Sequence, residues 1–548
     1  TLPTLTETEE NLFRKEGRFV LEAVLLDYIR GRRWFRGKAR DSWALQILDI
    51  VPMHSPEVAA NLVLIEVEYT EGEPEMYILP LISTPVEQVG EIMAEYPHAA
   101  IARLKPERKY GDKESLLYDA LVDKRFCRLL LEAIGRKRHF TGKAGEVVAS
   151  RTRIFRHIRT ASQISLEPVP VKAEQTNTSV VYGDRLILKL FRRIEEEINP
   201  ELEIGRFLTE RTDFPYISRL AGYLEYHRKK GKITTLATLQ SFVPNEGDAW
   251  QYTLDFLNRY FDYVLASPAV SVSSVPRKHL LSLRKEPPAL AQETIGPYLI
   301  SAQLLGKRTA ELHVALAAAS DDPDFAPEPF SLIYQNSLYH AMRSFATQTL
   351  QLLREQLKEI PDELKENAQQ VLDSETSIVE RFQLLRNRKI SAARIRCHGD
   401  YHLGQVLYTG KDFIIIDFEG EPARPLSERR IKRSPLRDVA GMIRSFHYAA
   451  HSALLHQSSL AHKPESLLAL ERWAQFWYVW VSSSFLKSYL KGVEQTELIP
   501  DDPEQLKILL DAYLLEKAIY EIGYELNNRP HWLKVTLQGI LQLLKAKE

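Results

Sequence analysis

The stretch CHGDYHLGQVLYTGKDFIIIDFEG, residues 397–420, concentrates the chemistry of this chain. It holds His398 and Asp400 in an H-G-D triplet, Gln405 five residues after that aspartate, and Asp417 at the end of an apolar run. Two short segments around a hairpin-like turn thus bring together two carboxylates and an amide oxygen. Phosphoryl transfer needs these groups to hold magnesium-bound ATP and to orient an attacking hydroxyl. Asp400 stands where a catalytic base would, an acceptor at neutral pH able to align a hydroxyl and receive its proton. Asp417 would coordinate magnesium and Gln405 would give the same ion a neutral oxygen, because magnesium takes a few protein oxygens plus phosphate and water. His398 joins the catalytic set as a brace for the loop. An isolated H-G-D is an ordinary turn; Gln405 at its offset and a second aspartate behind a hydrophobic strand set this one apart.

Upstream, residues 184–191 read as a strand with Lys189 near its end. A buried ammonium is costly without a partner. Acids on the following helix, which Asn199 and Pro200 start, can supply one: Glu203 is the expected partner and Glu201 the alternative. Such a pair would set the lysine on the α- and β-phosphates. No glycine-rich loop precedes Lys189; the turn is Gln175-Thr176-Asn177-Thr178-Ser179, whose hydroxyls and N–H groups, Ser179 among them, can contact phosphate.

The chain has 548 residues, room for two to four domains, with 44% apolar and 26% charged residues, ordinary for a globular protein. A formal net charge of −1 provides no field to recruit nucleic acid or an anionic membrane. The basic cluster at 429–433 reads as a solvated loop. Two cysteines, Cys127 and Cys397, need no disulfide framework and fit a reducing cytoplasm. No apolar run is long enough to span a membrane, and no signal peptide is seen.

Alternating runs at 43–51, 61–69 and 76–81, after a charged amphipathic helix at about 7–30, predict a sheet with one helix. Residues 106–167 mix short strands with a helix over 114–134. Residues 233–242 form a further apolar strand. After 246 the pattern is helical: about 300–318, 331–356, 361–387, 436–456, 465–492, 503–527 and 533–546, with a proline-rich excursion at 266–298. Trp473, Trp477 and Trp480 fall at helical spacing and read as core. The expected architecture is α+β and two-lobed: 1–105 an N-terminal domain, 106–245 an intermediate region with a mixed-sheet lobe, and 246–548 a mostly helical lobe.

The segments HGDYHLGQVL (398–407), IIDFEGEPARPL (415–426), RDVAGMIRSFHYAA (437–450), LGKRTAELHVALA (305–317), LQSFVPNEGDAW (239–250) and RRWFRGKAR (32–40) resemble the bacterial maltokinases. These are aminoglycoside-phosphotransferase-like members of the protein-kinase fold, and the resemblance spans nearly the whole chain. Gln405 in place of the usual kinase asparagine is itself characteristic of that branch. The resemblance implies an N-terminal α/β cap domain and transfer from ATP, with Mg2+, to the anomeric hydroxyl of maltose, giving maltose 1-phosphate for α-glucan synthesis. It implies a hinge at 239–243 that binds adenine through backbone groups of Gln240 and Phe242, with Asp248 beside the nucleotide. It implies a disaccharide site on the helical lobe, for which Lys517, Tyr520, Glu521 and Tyr524 lie near one helix face. Because maltokinases also resemble the C-terminal part of fusions with trehalose synthase, a chain that opens on Thr1 is expected to be such a piece or a trimmed stand-alone enzyme, with trehalose synthase as partner. Competing readings are a kinase of another hydroxyl acceptor, such as an aminoglycoside or choline, and a non-catalytic kinase-like module. An acidic pocket would favour the former, and loss of Asp400, Asp417 or Lys189 the latter.

Overall fold

The structure is a computed structural model and describes the chain apart from residues 1, 15–16, 41, 106–113, 161–165, 173–175, 268–271, 273–274, 277–278, 284–285, 459–463 and 546–548. It divides into two compact units, Thr1–Glu210 with Ser218–Pro244, and Arg211–Ile217 with Asn245–Glu548.

The first unit contains two seven-stranded sheets. In the first, Ser42–His54, Ala59–Tyr69 and Glu75–Pro85 form an antiparallel meander. Ser115–Asp119 and Ala100–Leu104 extend it, Thr4–Leu5 adds a parallel edge, and Arg193–Ile194 pairs with Glu75–Pro85. The run 62–65 is apolar on both faces because both are covered. Val63, Ile65 and Val67 pack with Leu21, Leu25 and Ile29 of the helix Arg18–Arg30, while Leu62 and Leu64 share a core with Leu186, Leu188 and Leu190 of the second sheet. Successive strand side chains point to opposite faces, so one run feeds two cores.

The helix expected over 114–134 begins as a strand, Ser115–Asp119. Leu116 and Tyr118 enter one core and Leu117 the other, an alternation that a helix would scramble. The helix starts only at Lys124, where the Asp123 carboxylate accepts the Arg125 N–H at 2.8 Å, and runs to Arg136. The expected helix at 7–30 is likewise interrupted, into Glu9–Leu12 and Arg18–Arg30, and that at 361–387 into Asp362–Asp373 and Glu375–Asn387.

The second sheet is antiparallel. Its order is His139–Thr141, Gly145–Arg151, Leu220–Arg228, Ile233–Ser241, Leu186–Phe191, Asn177–Tyr182 and Pro168–Pro170. The helix Pro200–Glu210 follows the lysine-bearing strand.

The second unit is mostly helical. Its long helices are Ala249–Ala266, Tyr298–Leu316, Leu332–Gln356, Leu436–Ser458, Pro464–Val493 and Pro503–Asn528. Trp473, Trp477 and Trp480 are buried. Among the described residues no helix is long and apolar enough to cross a membrane.

Candidate active site

In the helical unit, Val406–Tyr408 and Phe413–Ile415 pair as an antiparallel hairpin, with Val406 opposite Ile415. One step further the Ile416 N–H donates to the Gln405 carbonyl at 3.0 Å, so the Gln405 and Asp417 backbones adjoin at the open end. His398 Nε2 donates to the Ile416 carbonyl at 2.9 Å, and Nδ1 accepts the Asp400 N–H at 3.4 Å. The ring thus ties the H-G-D loop to the Asp417 segment, in the tautomer those partners require. Asp417 has φ +67°, a left-handed conformation that costs an L-residue about 1–2 kcal/mol and that clusters at functional sites.

The loop is held from behind by one face of the helix Leu436–Ser458. Buried Asp438 accepts the N–H groups of His398 (2.8 Å) and Gly399 (3.0 Å) and pairs with His313 Nε2 at 3.2 Å. Burial alone would raise its carboxyl; the His313 hydrogen bond and charge, His398 and the Gly399 N–H outweigh it and hold the carboxyl below the usual aspartate range. One turn on, a Cβ at Gly441 would stand 2.6 Å from the Tyr401 carbonyl oxygen, so only glycine lets the helix approach. Another turn on, Ser445 Oγ accepts the Leu403 N–H at 3.1 Å.

Asp400 opens onto a cavity whose other charged groups are largely paired among themselves. Lys517 Nζ lies 3.6 Å from Asp400 Oδ1 and 4.6 Å from the Tyr520 ring centre. Glu421 takes Arg424 Nε at 2.6 Å and Arg437 Nη2 at 3.1 Å. Burial pushes its carboxyl up, but Lys517, Arg437 and Arg424 more than offset this and bring it down to about 2. Glu516 stands 3.8 Å from Arg424. Burial, then the carboxylates of Glu421 and Asp400, push the Tyr520 phenol up.

In the sheet unit, Leu186, Leu188 and Leu190 are buried while Lys189 is half-buried on the other face of the strand, its Nζ 5.7 Å from the Phe191 ring centre. Ser179 stands directly opposite Lys189 in the neighbouring strand and so shares its face. Glu201 and Glu203 are both buried in the first turn of Pro200–Glu210. Glu201 Oε1 accepts Gln240 Nε2 at 2.5 Å, and the Glu203 N–H donates to the Asn199 carbonyl at 3.1 Å. Of the turn before Ser179, residues 173–175 lie outside the described residues.

Residues 28–123 match the family model of the maltokinase N-terminal cap domain, and residues 282–420 match that of the phosphotransferase enzyme family. The chain is a kinase-like phosphotransferase with a maltokinase-type cap. A glucosamine kinase of Streptacidiphilus jiangxiensis is 23% identical to this phosphotransferase over 68% of the chain and 73% of the relative. One from Mycolicibacterium smegmatis is 24% identical over 70% and 81%. Among solved structures, a glucosamine kinase in complex with glucosamine, ADP and inorganic phosphate superposes with a TM-score of 0.59 at 17% identity, covering 94% of this chain and 98% of that one. Crystal form A of a glucosamine kinase gives 0.60 at 17%, covering 98% and 99%. At these identities the superpositions show the fold.

Not every expected site residue of the phosphotransferase joins the others. Lys517 and Tyr520 line the cavity with Asp400. Glu521, although one position further, belongs to the buried face of Ala518, Ile522 and Glu525, and its carboxylate receives Arg444 Nε at 3.2 Å. Tyr524 is exposed, with the Arg529 guanidinium 5.2 Å from its ring centre. Helical spacing gathers these four within a broad arc, but the cavity takes only the two on one edge. The Phe242 N–H already donates to the Arg185 carbonyl at 2.7 Å, so it is not a donor that a base would meet. The Asp248 carboxylate caps the helix Ala249–Ala266 by accepting the Gln251 N–H at 2.8 Å. Glu421, Arg424, Arg437 and Glu516 were not expected at the cavity. For Glu421, Arg424 and Arg437 a usable signal was the charge they bring to the motif segments 415–426 and 437–450; Glu516 directly precedes Lys517 on its helix.

The donor set at the hairpin mouth, one carboxylate and one amide oxygen, suits a hard cation that takes its other ligands from phosphate and water. Among the described residues no group of three or more His, Cys, Asp or Glu is arranged to hold a metal by itself.

Proposed function

We propose that this phosphotransferase transfers the γ-phosphoryl group of ATP to the anomeric hydroxyl of maltose, giving maltose 1-phosphate and ADP. Asp400 accepts the proton of that hydroxyl as its oxygen bonds to the γ-phosphorus and the bond to the ADP oxygen breaks. Lys189, with Glu203 or Glu201 as its acidic partner, and Ser179 on the same sheet face act on the phosphates. Gln405 and Asp417 would hold Mg2+, which neutralises charge on the phosphates. Lys517 and Tyr520 present a donor and a flat ring to the sugar beside Asp400, and His398 keeps the loop in place.

The observation that carries the choice of a neutral sugar is the position of Lys517, 3.6 Å from Asp400 Oδ1. An aminosugar would bring a second ammonium beside it, while Glu421, which could have received that ammonium, is already bound to Arg424 and Arg437. The cap match points the same way. Glucosamine, named in the relatives, is the second reading. Maltose made from trehalose by a trehalose synthase, fused or associated, would be the natural supply, with use in α-glucan synthesis downstream. The test is incubation with MgATP and, separately, maltose, glucose, glucosamine and choline, with the product located by phosphorus and carbon NMR. Phosphate on the reducing-end carbon of maltose is expected. Turnover of glucosamine without maltose would replace the reading with its rival, and no product from any acceptor would remove both.

A further inference from the structure

We propose that Arg192 is a positioning residue through which the cap fixes the strand pair carrying Lys189 and Ser179, and so sets the affinity for ATP. This rests on the nucleotide roles given above to those two residues. The cap motif RRWFRGKAR at 32–40 is given no role in the phosphoryl transfer above, yet its Trp34 ring lies against the guanidinium of Arg192, one residue beyond the lysine-bearing strand.

The strand Leu186–Phe191 ends one residue before Arg192, and the chain then passes directly into the other sheet. Arg193 and Ile194 pair with Tyr77 and Met76 of the cap strand Glu75–Pro85, and the Arg192 carbonyl accepts the Ile78 N–H at 2.9 Å. No loop separates the lysine strand from the cap sheet, so a shift of one is passed to the other. The Arg192 side chain makes the same connection a second time. Its Nε donates to Thr178 Oγ1 at 2.8 Å, and its Nη2 to Asp119 Oδ2 at 2.5 Å. Its guanidinium carbon lies 5.3 Å from the Trp34 ring centre. Thr178 is opposite Leu190 in the register and adjoins Ser179, which is opposite Lys189. Thr178 therefore belongs to the sheet face away from Lys189, and Arg192 holds the pair from behind.

The contact is built for position. Arg192 is 3% exposed, and among the described residues its Nη1 has no hydrogen-bond partner, an expensive place for a cation. Asp119, the last residue of the cap strand Ser115–Asp119, is fixed in turn, its Oδ1 accepting the Leu121 N–H at 3.0 Å. Next door, Arg193 Nε stands 3.4 Å from Glu75, whose Oε2 also accepts the hydroxyls of Tyr69 (2.7 Å) and Tyr77 (2.6 Å). Arginine suits this site because its planar fork reaches hydroxyl, carboxylate and ring together, which a lysine cannot do.

The test uses the full chain with Arg192→Met, Arg192→Lys and the milder cap variants Asp119→Asn and Trp34→Leu. Each is measured for Tm, for MgATP binding by calorimetry, and for kcat and KM towards both substrates. The expected result is a rise of about tenfold in Kd and KM for ATP in Arg192→Met, a smaller rise in the other three, and a sugar KM within about twofold of the parent. If Arg192 serves only to stabilise the cap, Tm falls while ATP affinity per folded molecule stays unchanged, and the proposal is overturned. Should Arg192→Met fail to fold, unchanged ATP affinity in both cap variants overturns it equally. Parent protein that binds ATP yet ignores maltose would refute the substrate reading alone, because the calorimetric comparison needs no sugar. Parent protein that binds no ATP would refute both.

Discussion

The sheet unit and the helical unit place their candidate site residues by different means. In the helical unit, Asp400 and its surroundings are held by charged and polar groups that converge on one short loop, with Asp438, Gly441 and Ser445 on one helix face. In the sheet unit, Lys189 and Ser179 owe their common face to strand register, with the polar contacts of Arg192 behind it. The difference predicts unequal fragility. A loop pinned by buried hydrogen bonds fails sharply when one acceptor is removed, whereas register is shared over many residues and gives way gradually.

The largest effect is expected in the helical unit, for chemistry rather than stability. Asp400→Asn should lower turnover about a thousandfold or more, because an amide cannot take the proton, while ATP binding survives. Turnover close to the parent level would remove Asp400 from its role and leave the comparison without its active end. Asp438→Ala tests the pinning itself. It strands two buried N–H groups and His313, and should cost about 3–5 kcal/mol in urea unfolding. A loss under about 1 kcal/mol would mean that the loop is held by packing, as the sheet unit is.

This contrast also governs what could be read in the sequence. The H-G-D loop, Gln405 and Asp417 lie close along the chain, so their meeting is local and legible. Lys517 and Tyr520 were within reach because helical spacing survives folding. Glu521 was misread because an arc drawn from spacing does not say where the core ends; Arg444, far away in sequence, claims it. Residues 115–119 lie inside the helix expected over 114–134; Leu116, Leu117 and Tyr118 are consecutive apolar residues, and only two cores on opposite sides of one strand explain their alternation. The pairing of Arg193–Ile194 with the cap is long-range, and no local pattern announces it.

Acid sharpens the comparison, since the helical unit concentrates carboxylates held by cations. Glu421 titrates at about 2 in the folded chain against an ordinary 4.5. A carboxyl lowered by folding stabilises the protein above its unfolded pKa, and this contribution disappears as the pH falls from about 4.5 towards 2. Its size is on the order of 3 kcal/mol, because the group is buried and little screened. The slope of unfolding free energy against pH in that window should flatten in Glu421→Gln; an unchanged slope would show that other carboxylates carry the acid sensitivity.

The smallest effect expected is also the most informative about substrate. Lys517 touches both Asp400 and Tyr520 but has no part in accepting the proton. Lys517→Met keeps the length of the stem and removes the charge. If the ammonium donates to a sugar hydroxyl in both the ground and transition states, KM for maltose rises about tenfold, kcat changes little, and ATP affinity is unmoved. A fall in kcat with KM unchanged would instead assign Lys517 to the transition state, acting on Asp400. A third outcome separates the two sugars. Where a neutral acceptor loses a donor on this substitution, glucosamine loses a repelling charge, so its activity should rise relative to maltose. A parallel loss of both would mean that the cavity does not discriminate by charge, and the proposed preference for a neutral sugar would have to rest on shape.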